Sequence, residues 1–354
     1  MDLPKYNGNI HPDEWIDDIQ KYLSIRNKNY DVGLIKKLVD TNISLPTGIN
    51  IDSLEKLCNA LKEDYSFTIF KNTNKRKLQS LKYIPESRGG DTSKFISNFL
   101  KLCYNAEIND IEEQKNYLYK SLPMNNYFSN EFYYRMNIVN STNELIKEFE
   151  GIVFEESNLI KNESIIALKH VATGKYLGSF ENLHYMTGNK RQLVFAGSPV
   201  PDPNSLWKIK FDKELATYTN TSIKLQHVKS SNKFLGICYD GINHDYHKSP
   251  STNHTEVSCN NVSHLYWDKN WNFKHSKLEN YQGYLKSNDI INLSIVKQYQ
   301  NNRVEFLRSH DIQFTIGNDT FQEVVCHNER LGGNDEWCIE LIKQHIWTLD
   351  TLND

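Results

Sequence analysis

Residues 166–178 and 223–236 are two copies of one pattern. Ile166-Ala167-Leu168-Lys169-His170-Val171-Ala172-Thr173-Gly174-Lys175-Tyr176-Leu177-Gly178 aligns with Ile223-Lys224-Leu225-Gln226-His227-Val228-Lys229-Ser230-Ser231-Asn232-Lys233-Phe234-Leu235-Gly236 at an offset of 57–58 residues. A looser third copy opens at Ile291-Asn292-Leu293-Ser294-Ile295-Val296 and reaches Phe306-Leu307-Arg308-Ser309-His310-Asp311 after a longer insertion. Each copy closes on a tryptophan: Trp207, Trp271 (or Trp267) and Trp337. The apolar runs are short, tend toward period two and are cut by turn residues, which is strand texture. A four-strand unit of this size cannot bury its own apolar face, so three copies are expected to close around a pseudo-threefold axis as a β-trefoil. The expected repeats span about 160–212, 218–275 and 283–345. The three tryptophans, in apolar strand contexts, are expected to fill its core rather than to stack on a ligand. His170 and His227 share one position and His310 lies in the third copy; a histidine repeated by duplication suits one structural need, such as a hydrogen bond that fixes a turn.

Residues 1–157 have the helical period instead. Pro12 suits a first helical position, Asp13 and Glu14 suit the positive end of the helix dipole, and Trp15, Ile19 and Tyr22/Leu23 share a face. Asp91 or Thr92 can cap a stripe of Phe95, Phe99 and Leu102/Cys103, and Ser141 with Glu144 forms a capping box before Leu145, Phe149 and Ile152/Val153. Residues 51–65, 111–121 and 126–136 also suit helices. The run Lys71–Lys77 is the most basic stretch and is expected to be a solvated loop. The expected fold class is therefore multidomain α + β: an all-helical domain over 1–157, then the trefoil over 158–354.

Composition narrows function by exclusion. Of 41 basic and 44 acidic side chains, residues 1–160 hold 20 and 23, so neither half is a polycation and nucleic-acid binding is not expected on charge grounds. No stretch reaches the ~18 apolar residues of a membrane helix. The opening residues lack the apolar run of an export signal, so a cytoplasmic location, without membrane attachment, is expected, with six reduced cysteines and no use for sequons such as Asn253-His254-Thr255. Neither a phosphate-cradling glycine loop nor a nucleophile elbow occurs. Cys326, His327 and Cys338 have poor spacing for zinc, and Asp335 and Glu336 are too close in sequence to face one another across a glycoside. No cofactor, no metal and no enzymatic activity are expected.

Two resemblances accompany this reading. The segment from His170 to Leu177, with Leu307-Arg308-Ser309-His310 and the run from Phe321 through Cys326-His327 to Trp337-Cys338-Ile339, resembles the MIR domain of protein O-mannosyltransferases and of inositol-trisphosphate and ryanodine receptors. The resemblance covers about 160–345 and implies a β-trefoil that binds a ligand or partner, the chemistry or gating residing in other domains. Leu3-Pro4-Lys5-Tyr6-Asn7-Gly8, Pro12-Asp13-Glu14-Trp15-Ile16 and residues 92–103 are similar to the Gag capsid segment of long-terminal-repeat retrotransposons, which implies self-association. Gag's zinc knuckle is absent.

The expected function is a non-enzymatic binding or adaptor protein. Its trefoil would recognise a glycan, a peptide or a partner protein, and its helical domain would form a homo-oligomer, arraying weak sites for avidity. The expected ligand-binding residues are Arg308, His310, Asp311, His327, Arg330 and Asp335, which with Glu329 and Glu336 form the richest set of paired polar groups on the barrel's loops. Two alternatives are a carbohydrate-modifying enzyme with a site at the domain seam and a domesticated Gag-like RNA-binding assembly protein.

Overall fold

The structure is a computed structural model that describes residues 4–25, 31–46, 48, 50–123, 126–219, 221–261, 263–316 and 318–345. Leu3 of the opening motif and residues 346–354 of the expected second domain lie outside this set. The chain divides into two compact units, Met1–Glu156 and Ser157–Asp354.

The first unit holds helices α1 (Pro12–Ile25), α2 (Val32–Lys36), α3 (Leu54–Glu63), α4 (Tyr65–Ser80), α5 (Thr92–Asn105), α6 (Ile111–Ser121), α7 (Asn126–Met136) and α8 (Thr142–Ser157). Their starts follow from capping: Asp31, Ser53, Asp64, Asp91 and Asp110 each accept a hydrogen bond from a backbone N–H of the first turn. Ser141 accepts from Glu144 N at 3.3 Å, while the Glu144 carboxylate reaches back to Asn140 N at 2.8 Å, one residue before the expected partner. Trp15 is buried on α1 with its indole N–H donated to Pro4 O at 2.9 Å, and it packs in one core with Tyr6, Ile19, Leu57 and Leu61. A separate aromatic centre sets Tyr83 against Phe95, Phe128 and Phe149 at 5.1, 5.9 and 5.1 Å.

The basic run Lys71–Lys77 is not a loop. It lies within α4, because Asp64 caps the helix and Phe67, Asn74 and Leu78 supply a narrow buried face along it. Lys71 and Lys75 then meet Glu107 and Glu113 at 3.0 and 3.9 Å.

The second unit contains three four-strand repeats, the middle one with two short additions. They are β1 (Ile165–His170), β2 (Leu177–His184), β3 (Gln192–Ala196) and β4 (Trp207–Lys210); β5 (Ser222–His227), β6 (Lys233–Asp240), β7 (Asp245–Tyr246), β8 (Thr255–Asn261), β9 (Trp267–Asp268) and β10 (Trp271–His275); and β11 (Ile290–Lys297), β12 (Arg303–Ile316), β13 (Asp319–His327) and β14 (Trp337–Lys343). The pairings β1–β4, β4–β5, β5–β10, β10–β11, β11–β14 and β14–β1 close a six-stranded barrel. The hairpins β2–β3, β6–β8 and β12–β13 cap it, their inner strands β3, β8 and β13 pairing with one another in a triangle. A closed barrel with a three-hairpin cap is a β-trefoil, and it leaves the barrel no open edge.

The repeat is visible atom by atom. Trp207, Trp271 and Trp337 are fully buried, and their indole N–H groups donate to Leu177 O, Leu235 O and Leu307 O at 2.9, 3.0 and 3.1 Å. Strand pairing sets Trp337 opposite His170 and Trp207 opposite His227, with ring centroids 5.0 and 5.1 Å apart. In the third position Trp271 faces Ile295, so His310 is not the third repeat's equivalent histidine. His310 lies instead in β12, three residues after Leu307, where the first repeat has Phe180 three residues after Leu177.

The two matching histidines do serve one structural need. In His170 the Nε2–H donates to Asn334 O at 3.0 Å and Nδ1 pairs with Thr173 Oγ1 at 2.9 Å; in His227 the corresponding contacts are Asn204 O and Ser230 Oγ, both at 3.0 Å. A carbonyl can only accept, which fixes the proton on Nε2 in both rings. Cys326 is a fully buried core residue opposite Leu307, whereas Cys338 is half-buried.

Candidate functional site

The third repeat breaks the symmetry at one residue. Gly178 and Gly236 follow the matching leucines, and a side chain there would meet a backbone carbonyl, Asn204 O at 3.3 Å or Asp268 O at 2.2 Å. The third copy carries Arg308 instead. Its guanidinium reaches the turn before Trp337, where Nε donates to Asp335 Oδ1 at 2.8 Å and Nη2 to Oδ2 at 3.3 Å. Nη1 donates to Glu329 Oε2 at 2.9 Å, and Nη2 to Arg330 O at 3.5 Å.

Asp335 is fully buried and also receives His327 Nε2 at 2.7 Å and Gly332 N at 2.7 Å. Burial alone would raise its carboxyl, but the hydrogen bonds from His327, Arg308 and Gly332 override it and hold the group down to about 2. Asn292 Nδ2 donates to Asp335 O at 2.8 Å. Both carboxylate oxygens and the backbone carbonyl are thus occupied, and the chemistry of this network is to fix the loop between β13 and β14.

Arg308, His327 and Asp335 are therefore brought together in one closed cluster. His310 stands nearby and pairs with Glu323 at 2.8 Å, whose other oxygen accepts from Ser249 Oγ. The His254 ring lies 6.3 Å from His310 and 6.0 Å from His327. Asp311 and Arg330 are exposed. Among the described residues, no group of three or more His, Cys, Asp and Glu side chains could hold a metal.

The fixed loop has a second face. Its Leu331 lines a cavity of about 500 Å³ together with Tyr218, His275, Glu279, Tyr281 and Asn292. Tyr218 comes from the link between β4 and β5, His275 from the end of β10, and Tyr281 from the link between β10 and β11. Tyr218 stands edge-on to Phe273 and to Tyr281, both at 5.0 Å, and His275 is 5.5 Å from Tyr281. The Tyr218 hydroxyl donates to Asp289 Oδ2 at 2.7 Å; burial first and that carboxylate second push its phenol well above the ordinary range, so it stays a neutral donor. The result is a rigid aromatic floor with amide, hydroxyl and carboxylate groups at its rim, which suits CH–π stacking and neutral hydrogen bonding. Sequence reasoning missed this pocket because its tyrosines lie between repeats; the tyrosines at 218, 281 and 284 in otherwise polar links were the available signal.

No protein-family model matches the chain, and no curated protein matches it. Solved structures do. The SDF2-like protein from Arabidopsis thaliana is 25% identical over 51% of this chain and 94% of its own, with a TM-score of 0.42. The S. cerevisiae protein O-mannosyltransferase Pmt1-Pmt2 complex bound to the sugar donor is 15% identical over 69% of this chain and 44% of that one, with a TM-score of 0.40. The Macrolepiota procera ricin B-like lectin in complex with lactose is 14% identical over 51% of this chain and 98% of the lectin, with a TM-score of 0.30.

Proposed function

We propose that this chain is a non-enzymatic saccharide-binding protein whose trefoil takes its ligand in the Tyr218–His275–Tyr281 pocket. The observation that carries the reading is the pocket itself: three mutually packed rings under a rim that includes Asn280, Gln282 and Asn292. Concave sites with an apolar floor and a few placed polar groups are where small ligands bind, and a sugar presents both an apolar C–H face and a ring of hydroxyls. In this reading Arg308, His327 and Asp335 are positioning residues, holding the loop that carries Leu331. Arg330 on that loop, with His310 and Asp311, would contact the outer part of a longer glycan or of the protein that bears it.

The helical unit would supply valency. Its exposed apolar side chains include Tyr133, Tyr134, Ile138 and Phe154, which favours self-association over a purely solvated role. A glycan array probed with the intact chain tests the binding reading. Selective, saturable binding to a subset of glycans supports it, and an empty array overturns it.

A further inference from the structure

Four tyrosines of the second and third repeats meet, none of them lining the Tyr218 pocket. Tyr239 lies in β6, Tyr246 in β7, Tyr266 just before β9, and Tyr299 in the turn between β11 and β12. Tyr239 and Tyr299 lie nearly face to face, with centroids 4.9 Å apart and planes 22° apart. Tyr266 stands edge-on to Tyr299 at 5.2 Å and 73°, and Tyr246 supports Tyr239 at 5.4 Å and 67°.

The base of this cluster is immobilised by polar contacts. Tyr246 is buried; its hydroxyl donates to the Asp268 carboxylate and accepts from Tyr299 N at 3.3 Å. Lys297, buried and paired with Glu305 at 2.7 Å, sits 4.8 Å over the Tyr246 ring. Gln300 Nε2 ties the Tyr299 turn to Asp245 Oδ1 at 2.5 Å.

The upper rings are left open. Tyr266 and Tyr299 are 43% and 44% exposed, and neither hydroxyl has a hydrogen-bond partner among the described residues. Tyr266 holds a left-handed backbone, φ 63°, which is uncommon for a bulky residue and is tolerated here in the segment that presents the ring. Asn301 and Asn302, also left-handed, extend the same turn as Tyr299 and offer neutral amides. Core packing gains little from rings kept half in water, yet the fold spends a buried ion pair and a buried carboxylate beneath them. The face of Tyr299 turned away from Tyr239, the Tyr266 ring beside it, their free phenol hydroxyls and the neutral amides complement a sugar ring.

We infer that the Tyr239–Tyr266–Tyr299 cup is a second saccharide site, taking a neutral hexopyranose by stacking. This extends the reading of the trefoil as a saccharide binder, and it makes one trefoil bivalent before any self-association.

The test uses the intact chain labelled with 3-fluorotyrosine and titrated with the methyl glycosides of mannose, galactose, glucose and N-acetylglucosamine, followed by fluorine NMR. Single Tyr→Phe variants assign the signals. The expected result is a saturable shift of the Tyr239, Tyr266 and Tyr299 signals by at least one glycoside. Tyr299→Ala is expected to weaken that binding about three- to tenfold, the range for one aromatic contact. Tyr299→Phe, which keeps the ring, should retain most of it, and an unchanged urea midpoint would establish that both variants fold.

Shifts confined to Tyr218 and Tyr281 would overturn the cup and leave the pocket reading standing. Shifts confined to the cup would support the cup and count against the pocket. A chain that responds to none of the four glycosides, or a Tyr299→Ala variant that binds as tightly as the original, overturns the inference.

Discussion

Arg308 and Asp335, 27 residues apart in the chain, share a two-point contact in which Nε meets Oδ1 at 2.8 Å and Nη2 meets Oδ2 at 3.3 Å. Removing one member of a buried pair strands the other, which typically costs about 3–5 kcal/mol. Arg308→Ala should therefore destabilise the trefoil unit by about 3 kcal/mol in urea unfolding. Arg308→Lys should recover only part of that, since an ammonium cannot reproduce the fork. A loss below about 0.5 kcal/mol, the scale of an ordinary surface change, would mean the network does not hold the loop.

The same carboxylate makes stability depend on acid. Asp335 titrates at about 2 in the fold against 3.8 as the ordinary value, so its contribution is fully present above pH 3.8 and disappears as the pH falls toward 2. Thermal melting of the native chain should drop across that interval. Asp335→Asn should start lower and show a shallower drop, and parallel curves for the two proteins would contradict the assignment.

His170 and His227 act in a higher pH window. Burial, the largest cause, lowers both from 6.5, so the unfolded chain binds protons that the fold refuses, and stability falls as the pH drops below 6.5. A protonated His227 would also set its Nδ1–H against Ser230 N–H, which donates to that nitrogen at 3.2 Å. Nitrogen NMR of the imidazoles should find both rings neutral at pH 7 with the proton on Nε2, and protonating below 6.5 as the pH is lowered. Rings that take up the proton at or above pH 6.5 would refute this.

The three tryptophans should behave alike. Replacing any one by phenylalanine removes a buried donor, leaving Leu177, Leu235 or Leu307 O unpaired, and opens space where the indole was. The two effects together are expected to cost about 2–4 kcal/mol in denaturant unfolding. If Trp271→Phe proved neutral while Trp207→Phe and Trp337→Phe were severe, the threefold equivalence would be broken in the energetics.

Much of the architecture was legible because duplication repeats physical constraints. The leucine before Gly178 and Gly236 recurs because its side chain fills the barrel core, and the glycine recurs because a carbonyl passes where Cβ would sit. The site was less legible. Arg308, His327 and Asp335 stood out as polar residues of the third repeat, but their sequence positions could not reveal that Asp335 is completely buried and fully bonded. The pocket was hidden because Tyr218 and Tyr281 belong to links that do not repeat, and the helix through Lys71–Lys77 was hidden because only Phe67, Asn74 and Leu78 mark its buried face.

Saccharide binding in the Tyr218–His275–Tyr281 pocket is the proposal on which the function of the trefoil rests. Its most direct test is a glycan array with the intact chain beside the double variant His275→Ala/Tyr281→Ala, whose folding is verified by an unchanged urea midpoint. The account predicts selective binding by the native chain and at least about a tenfold loss in the variant, from removal of two ring contacts. Equal binding by both proteins, or none by the native chain, would contradict it.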